Sequence, residues 1–244
     1  MHFESGTTVG RLISYRDGDQ PLEGYLAAPP SAKSLPGVVL APAWLNVNES
    51  MCRRAERLAE LGYAAFVLDT FGAGVRPGPP QHPLDVVAPF VTNRLRLRQR
   101  LFAGVRAFQL QPECNSEKIA GIGYCLGGCG VLELARAGAP LRGVVSLHGL
   151  LSSPLPAEPG AIKAKILILH GDADPVVPFE SLIAFREEMR RAGANWQLNL
   201  YSDAKHSFSG EGAIPGKNPE AVLHPQTEAR SWEATVEFLE EVLK

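Results

Sequence analysis

Residues 123–128 read Gly-Tyr-Cys-Leu-Gly-Gly, or GYCLGG. The apolar run KIAGI (118–122) leads in, and CGVLELARAG (129–138), with apolar residues at helical spacing, leads out. One cysteine, Cys125, therefore stands at a strand-to-helix turn with glycines on both sides. The spacing Gly123-x-Cys125-x-Gly127 is that of a nucleophile elbow with Cys in place of Ser. Small residues are needed because the turn is sharp and the backbones pass close together. The following helix points its positive end at Cys125, which favours thiolate over thiol. The N–H of Leu126, directly after the nucleophile, is then placed to bind an oxyanion. A glycine-rich turn around an inert buried cysteine is the competing reading, and this motif alone does not separate the two.

Working outward, short apolar strands alternate with amphipathic helices. TTVGRLISYR (7–16) and LEGYLAAP (22–29) flank the turn-rich DGDQP and read as an antiparallel hairpin. PGVVLAPA (36–43), YAAFVLDTFG (63–72), KIAGIGY (118–124), RGVVSLHG (142–149), KILILHG (165–171) and WQLNLYSD (196–203) read as further strands. Helical periodicity covers 48–62, 85–111 with a break or kink near Pro89, 126–138, 178–192 and 227–243. Gly62, Gly138 and Gly193 follow three of these helices as left-handed stops. The pattern predicts an α/β fold with a mostly parallel eight-stranded sheet and helices on both faces, in a single domain over 1–244. Function in such sheets gathers at the carboxyl ends of the strands.

Two more strand ends decide the elbow. HGDADPVVP (170–178) offers Asp172 and Asp174, and SDAKHSF (202–208) offers His206. The chain order nucleophile, acid, histidine is that of the elbow fold. Asp174, before the Pro175 helix entry, is preferred as the acid; Asp172 is expected to hold nearby loop amides. His2 is terminal, and His170 ends a buried strand with backbone partners. His82 and His224 fall in proline-containing, exposed loops. His148 ends the strand beside the nucleophile's and is a candidate pocket residue. Arg94, Arg96, Arg98, Arg100 and Arg106 read as a solvated helix face with local ion pairs.

The formal net charge of −2 argues against nucleic acid as the main partner. The first ten residues lack the pattern of a secretory leader, and no apolar run is long enough to span a bilayer. Cys52, Cys114, Cys125 and Cys129 lack metal-site or disulfide spacing. Free thiols in the cytoplasm are the simplest reading, and neither a metal nor another cofactor is expected. Oligomeric state is not encoded in any feature of the chain.

At this point the chain resembles the dienelactone hydrolase family of α/β-hydrolases. The resemblance rests on GYCLGG, HGDADPVVP, KHSF, RLAELGY (57–63) and SWEATVEFL (231–239), and it runs over nearly the whole length. It implies Cys125 as nucleophile, Asp174 as acid and His206 as base. A second oxyanion amide comes from the loop after VVLAP, at Trp44. Two departures follow from the comparison. Typical members carry His-Glu where this chain has Pro42-Ala43, so Ala43 does not gate the thiol. The arginine that follows the family histidine has no counterpart in HSFSGEG (206–212), which leaves Arg76 as the candidate for a substrate carboxylate.

The expected activity is a cysteine-dependent hydrolysis of carboxylic esters or lactones through a thioester. Trp44, Phe71 and Phe208 on the site loops suggest an apolar substrate, with ordinary core packing as the competing role. A neutral phosphotriester attacked by the same thiol is the alternative electrophile. A non-catalytic ligand-binding protein is the alternative of another class.

Overall fold

The computed structural model describes residues 4–5, 8–213 and 221–244, so His2 lies outside the described residues. The strands are β1 (Glu4–Ser5), β2 (Thr8–Asp17), β3 (Gln20–Ala28), β4 (Leu35–Ala41), β5 (Ala64–Val67), β6 (Cys114–Tyr124), β7 (Gly143–Leu147), β8 (Lys165–Gly171) and β9 (Trp196–Tyr201). The helices are α1 (Glu49–Glu60), α2 (Pro83–Thr92), α3 (Arg94–Gln109), α4 (Leu126–Arg136), α5 (Phe179–Ala192) and α6 (Pro225–Leu243). All strands join one sheet in the order β1-β2-β3-β5-β4-β6-β7-β8-β9. From β5 to β9 every pairing is parallel, while β1, β2 and β3 pair antiparallel. The eight expected strands are all present. The two-residue β1 is an addition too short to carry a pattern.

Residue alternation divides the interior into two layers. Val39, Phe66, Ile119, Val144, Ile166 and Ile168 face α3, α4 and α5 through Leu101, Val131 and Phe185. Val38, Leu40, Val67, Ile122, Val145 and Leu167 face α1 and α6 through Met51, Leu58 and Leu239. Strands buried on both faces need apolar side chains at successive positions, which is why β4 to β8 read as continuous apolar runs. Each large side chain so buried contributes roughly 1.5–3 kcal/mol.

Local sequence sets the helix ends. Asn48 caps α1 by accepting from Met51 N, and Met51, Ala55, Leu58 and Ala59 form its buried stripe. Gly62, Gly138 and Gly193 follow α1, α4 and α5 with φ of 90°, 71° and 67°, the left-handed stops expected of them. The break in the 85–111 stretch is not at Pro89, which sits inside α2. It falls at Asn93, whose non-helical backbone (φ −118°, ψ 85°) ends α2 and whose side chain caps α3 through Arg96 N.

From β4 the chain crosses to β5 on one side, then returns past β4 to β6 and continues to β7 on the other. The direction of winding therefore reverses between β4 and β6. At such a switch point the loops at the strand ends part and leave a crevice.

Candidate active site

The elbow closes that crevice. Ala41 and Gly123 are paired across β4 and β6, the last rungs before the two chains diverge. A Cβ at Gly127 would stand 1.9 Å from the Ala41 carbonyl oxygen, and one at Gly123 would stand 2.0 Å from the Gly127 oxygen. Only glycine permits this approach. Cys125, half-buried, takes φ 52° and ψ −112°. A non-glycine residue held so costs on the order of 1–3 kcal/mol and persists only when its surroundings impose it.

His206, from the loop after β9, brings Nε2 to 3.2 Å from Cys125 Sγ. Its Nδ1–H donates to Asp174 Oδ2 at 2.9 Å, and the Asp174 side chain is fully buried. The other oxygen, Asp174 Oδ1, accepts from Val176 N at 2.8 Å and Val177 N at 3.2 Å. Holding the loop amides, expected of Asp172, thus falls to Asp174; Asp172 is exposed. Burial alone would lower the pKa of His206. The Cys125 charge and the hydrogen bonds to Asp174 and Cys125 outweigh it and push it up to about 10. The protonated form of this ring is therefore favoured in the folded site.

Leu126 is the first residue of α4, where an N–H has no intrahelical acceptor. Trp44 lies in the turn directly after β4, against which the elbow packs. Both N–H groups thus belong to segments that meet at the crevice.

The remaining candidates divide by exposure. Ala43 is buried, and a Cβ at Gly212 would lie 3.2 Å from the Ala43 Cβ. The Trp44 ring is buried as well and donates from Nε1 to the Gly212 carbonyl at 3.0 Å, joining the β4 turn to the histidine loop. Phe208 has no exposed surface and packs edge-on against His148, with ring centroids 5.1 Å apart. It also packs against Tyr201 at 5.8 Å and presents no surface to the crevice. His148 is likewise fully buried behind the elbow, so it does not line an open pocket. Phe71 is half-buried on Phe90, at 5.2 Å. Arg76 is exposed and paired with Glu23 at 3.3 Å.

Several partners of the site escaped the sequence reading. Buried Asp69 accepts from Asn46 Nδ2 at 2.7 Å, Gly72 N at 2.9 Å and Phe71 N at 3.0 Å, tying the loops after β4 and β5 together. Arg54 of α1 donates to Glu211 at 2.8 Å and to the Ser209 carbonyl at 2.6 Å. The aspartate at a strand end in FVLDTFG was the available signal for the first; the second had none, because Arg54 resembles any charged helix position. His82 and His224, expected only as loop residues, accept from Leu84 N and Thr227 N and cap α2 and α6. His170 is buried as expected, but its Nδ1 has no partner among the described residues.

The arginine face is also corrected. Arg94 and Arg100 are buried, and Arg98 is mostly so. Arg98 reaches Glu133 at 2.8 Å, and Arg136 reaches Glu188 at 2.8 Å and Glu133 at 3.2 Å. Arg98 also donates to the Leu155 carbonyl at 2.8 Å. These charges fasten the loop after β7 to α3, α4 and α5.

The family model for the dienelactone hydrolase family matches residues 22–243. The chain belongs to the dienelactone hydrolase family. As a member it is an enzyme of the ester and lactone hydrolase class. A crystal structure of a dienelactone-hydrolase-like promiscuous phosphotriesterase from metagenomic libraries superposes with a TM-score of 0.90 at 32% identity, covering 98% of this chain and all (100%) of the other. A carboxymethylenebutenolidase of Pseudomonas putida is 30% identical over 207 residues, 81% of this chain and 85% of that protein. A probable 2-oxo-3-(5-oxofuran-2-ylidene)propanoate lactonase of Bradyrhizobium sp is 27% identical over 194 residues, 75% of this chain and 77% of its own. Among the described residues of this dienelactone hydrolase family member, no helix is long and apolar enough to cross a membrane, and no cluster of His, Cys, Asp or Glu has the makings of a metal site.

Proposed function

We propose that this chain is a cysteine-dependent hydrolase of carboxylic esters and lactones, built as a single α/β domain. Cys125 is the nucleophile, His206 the base and Asp174 the acid. The observation that carries the reading is the line Sγ to Nε2 at 3.2 Å and Nδ1 to Oδ2 at 2.9 Å, set on a strained elbow. Cys125 Sγ gives its proton to His206 Nε2 and attacks the carbonyl carbon, and the carbonyl π electrons move to oxygen. The oxyanion takes hydrogen bonds from the Leu126 and Trp44 N–H groups, each worth about 3 kcal/mol in comparable hydrolases. Collapse of the adduct expels the alkoxide, which takes the proton held on His206 Nε2. The thioester that remains is cleaved by a water deprotonated at the same nitrogen, and Cys125 is released.

The phosphotriester alternative retains one specific support. At the position of the family glutamate stands Ala43, buried and uncharged. A thiol without an anionic neighbour there suits a neutral electrophile, and a relative of similar fold is described as a promiscuous phosphotriesterase.

Intact mass during turnover of a p-nitrophenyl ester, beside a neutral aryl phosphotriester, tests both. A transient adduct of acyl mass in the wild type, absent in Cys125→Ala, is the expected result. A phosphoryl adduct forming faster would favour the alternative. Equal turnover in wild type and Cys125→Ala would sink the nucleophile assignment.

A further inference from the structure

His148 has no part in those steps, yet it touches the nucleophile. Its Nδ1 accepts the Cys125 N–H at 3.1 Å, a donor shared with the Leu147 carbonyl at 3.0 Å. A nitrogen that accepts carries no proton. The proton is therefore on Nε2, which donates to Ser209 Oγ at 2.7 Å. Ser209 follows His206 by three residues in the same loop. Its carbonyl is in turn held by Arg54. The ring stands edge-on to His206 with centroids 5.2 Å apart, and His148 itself sits at φ 40°. One neutral imidazole thus spans from the main chain of the nucleophile to the loop of the base.

We infer that His148 is a positioning residue: by accepting the Cys125 N–H and donating to Ser209, it holds Cys125 Sγ and His206 Nε2 at their reacting separation and aims the Leu126 N–H. The inference rests on the Cys125–His206 reading. The left-handed conformation of Cys125 lasts only where its surroundings impose it. The strand carbonyl of Leu147 supplies one restraint on its N–H, and His148 supplies the second. The bridge requires a neutral ring, because a protonated His148 has no lone pair for Cys125. Its surroundings keep it neutral. It is completely buried, and His206, Arg54 of α1 and His170 of β8 face it as cations or potential cations. Tyr124 and Phe208 present aromatic surfaces to it. Burial, the largest influence, and these charges together hold its pKa well below the ordinary histidine range.

The test compares His148→Asn with His148→Gln. Asparagine sets a carbonyl oxygen near the Nδ1 position and serves Cys125. Glutamine sets its polar end near Nε2 and serves Ser209. The readouts are kcat and KM for p-nitrophenyl acetate, melting temperature, and the pH profile of Cys125 alkylation by iodoacetamide, followed by peptide mass. His148→Gln is expected to lose about tenfold or more in kcat with KM little changed and the alkylation profile displaced, and His148→Asn to recover most of that loss. Ser209→Ala, which keeps the ring, is expected to lose kcat in the same direction by less. Wild-type kcat and alkylation in His148→Gln would overturn the inference. So would equal losses in Asn and Gln that track melting temperature, the sign of packing alone. If both His148 variants fail to fold, an unchanged kcat and alkylation profile in Ser209→Ala overturns it. Wild-type turnover in Cys125→Ala strikes instead at the nucleophile reading, and the alkylation profiles still decide whether His148 holds the thiol.

Discussion

Asp174 shows how much one side chain carries at the residue scale. Its Oδ1 gathers two loop amides while its Oδ2 faces His206. Asp174→Asn retains an oxygen for the amides but presents an NH2 to His206 Nδ1, which imposes the wrong tautomer. A fall in kcat of about 10³–10⁴ with little change in melting temperature is expected. Steady-state kinetics beside calorimetry checks it, and near-normal kcat would rule out the orienting role. His206 makes a second prediction. Its pKa is raised from the ordinary 6.5 to about 10, so the folded state favours the protonated ring. Its stabilisation is fully present below pH about 6.5 and is lost as pH rises through about 10. Denaturation midpoints across that window should decline for the wild type and decline less for Cys125→Ala, which lacks the thiolate charge. Thiol selectivity follows as well. Burial, assisted by neighbouring carboxylates, pushes Cys52, Cys114 and Cys129 up to about 12. Iodoacetamide near neutral pH is expected to label Cys125 alone, and labelling of Cys129 first would refute this. At this scale the positions of Cys125, Asp174 and His206 were legible because each follows the carboxyl end of a strand. The roles of Asp172 and Asp174 in the loop were not, since the same carboxylate spacing fits either.

Elements were legible where burial imposes a period. The stripe at Met51, Ala55, Leu58 and Ala59 marks α1 without ambiguity. The α2–α3 stretch was harder, because proline is a stronger sign in sequence than in space. Pro89 lacks an N–H for the Asp85 carbonyl, but α2 continues past it to Thr92, and the capping side chain of Asn93 sets the new start. Arginines at alternate positions of α3 looked solvated, and nothing local announced that Glu133 on α4 would be buried beneath them. Arg136→Ala leaves Glu133 and Glu188 buried without that partner, and a loss of about 3–5 kcal/mol in urea unfolding is expected. A loss under 1 kcal/mol, the size of a surface pair, would count against the buried network. Gly127→Ala is a sharper test of the elbow. Its Cβ meets the backbone oxygen of Ala41 at 1.9 Å, which no rotamer relieves. Activity should vanish, and wild-type kcat in this variant would show that the α4–β4 approach is looser than described.

Over the whole molecule, the fold follows from alternation. Strands apolar on both faces require helices on both, and long crossovers through those helices make successive strands parallel. What alternation did not contain was the order β5-β4-β6, which depends on which side each crossover takes. That order brings the β4 turn, the elbow and the histidine loop to one edge. There the Trp44 ring joins the β4 turn to Gly212, Asn46 joins it to Asp69, and Arg54 joins Ser209 and Glu211 to α1. For anyone redirecting this enzyme to another substrate, that bracing divides the chain into chassis and fittings. Segments 42–46 and 206–212 are mutually bolted, and a change in one is transmitted to the other. Within the loops at 72–83 and 150–163, the exposed positions away from the Asp69 and arginine anchors are the ones to diversify in a library.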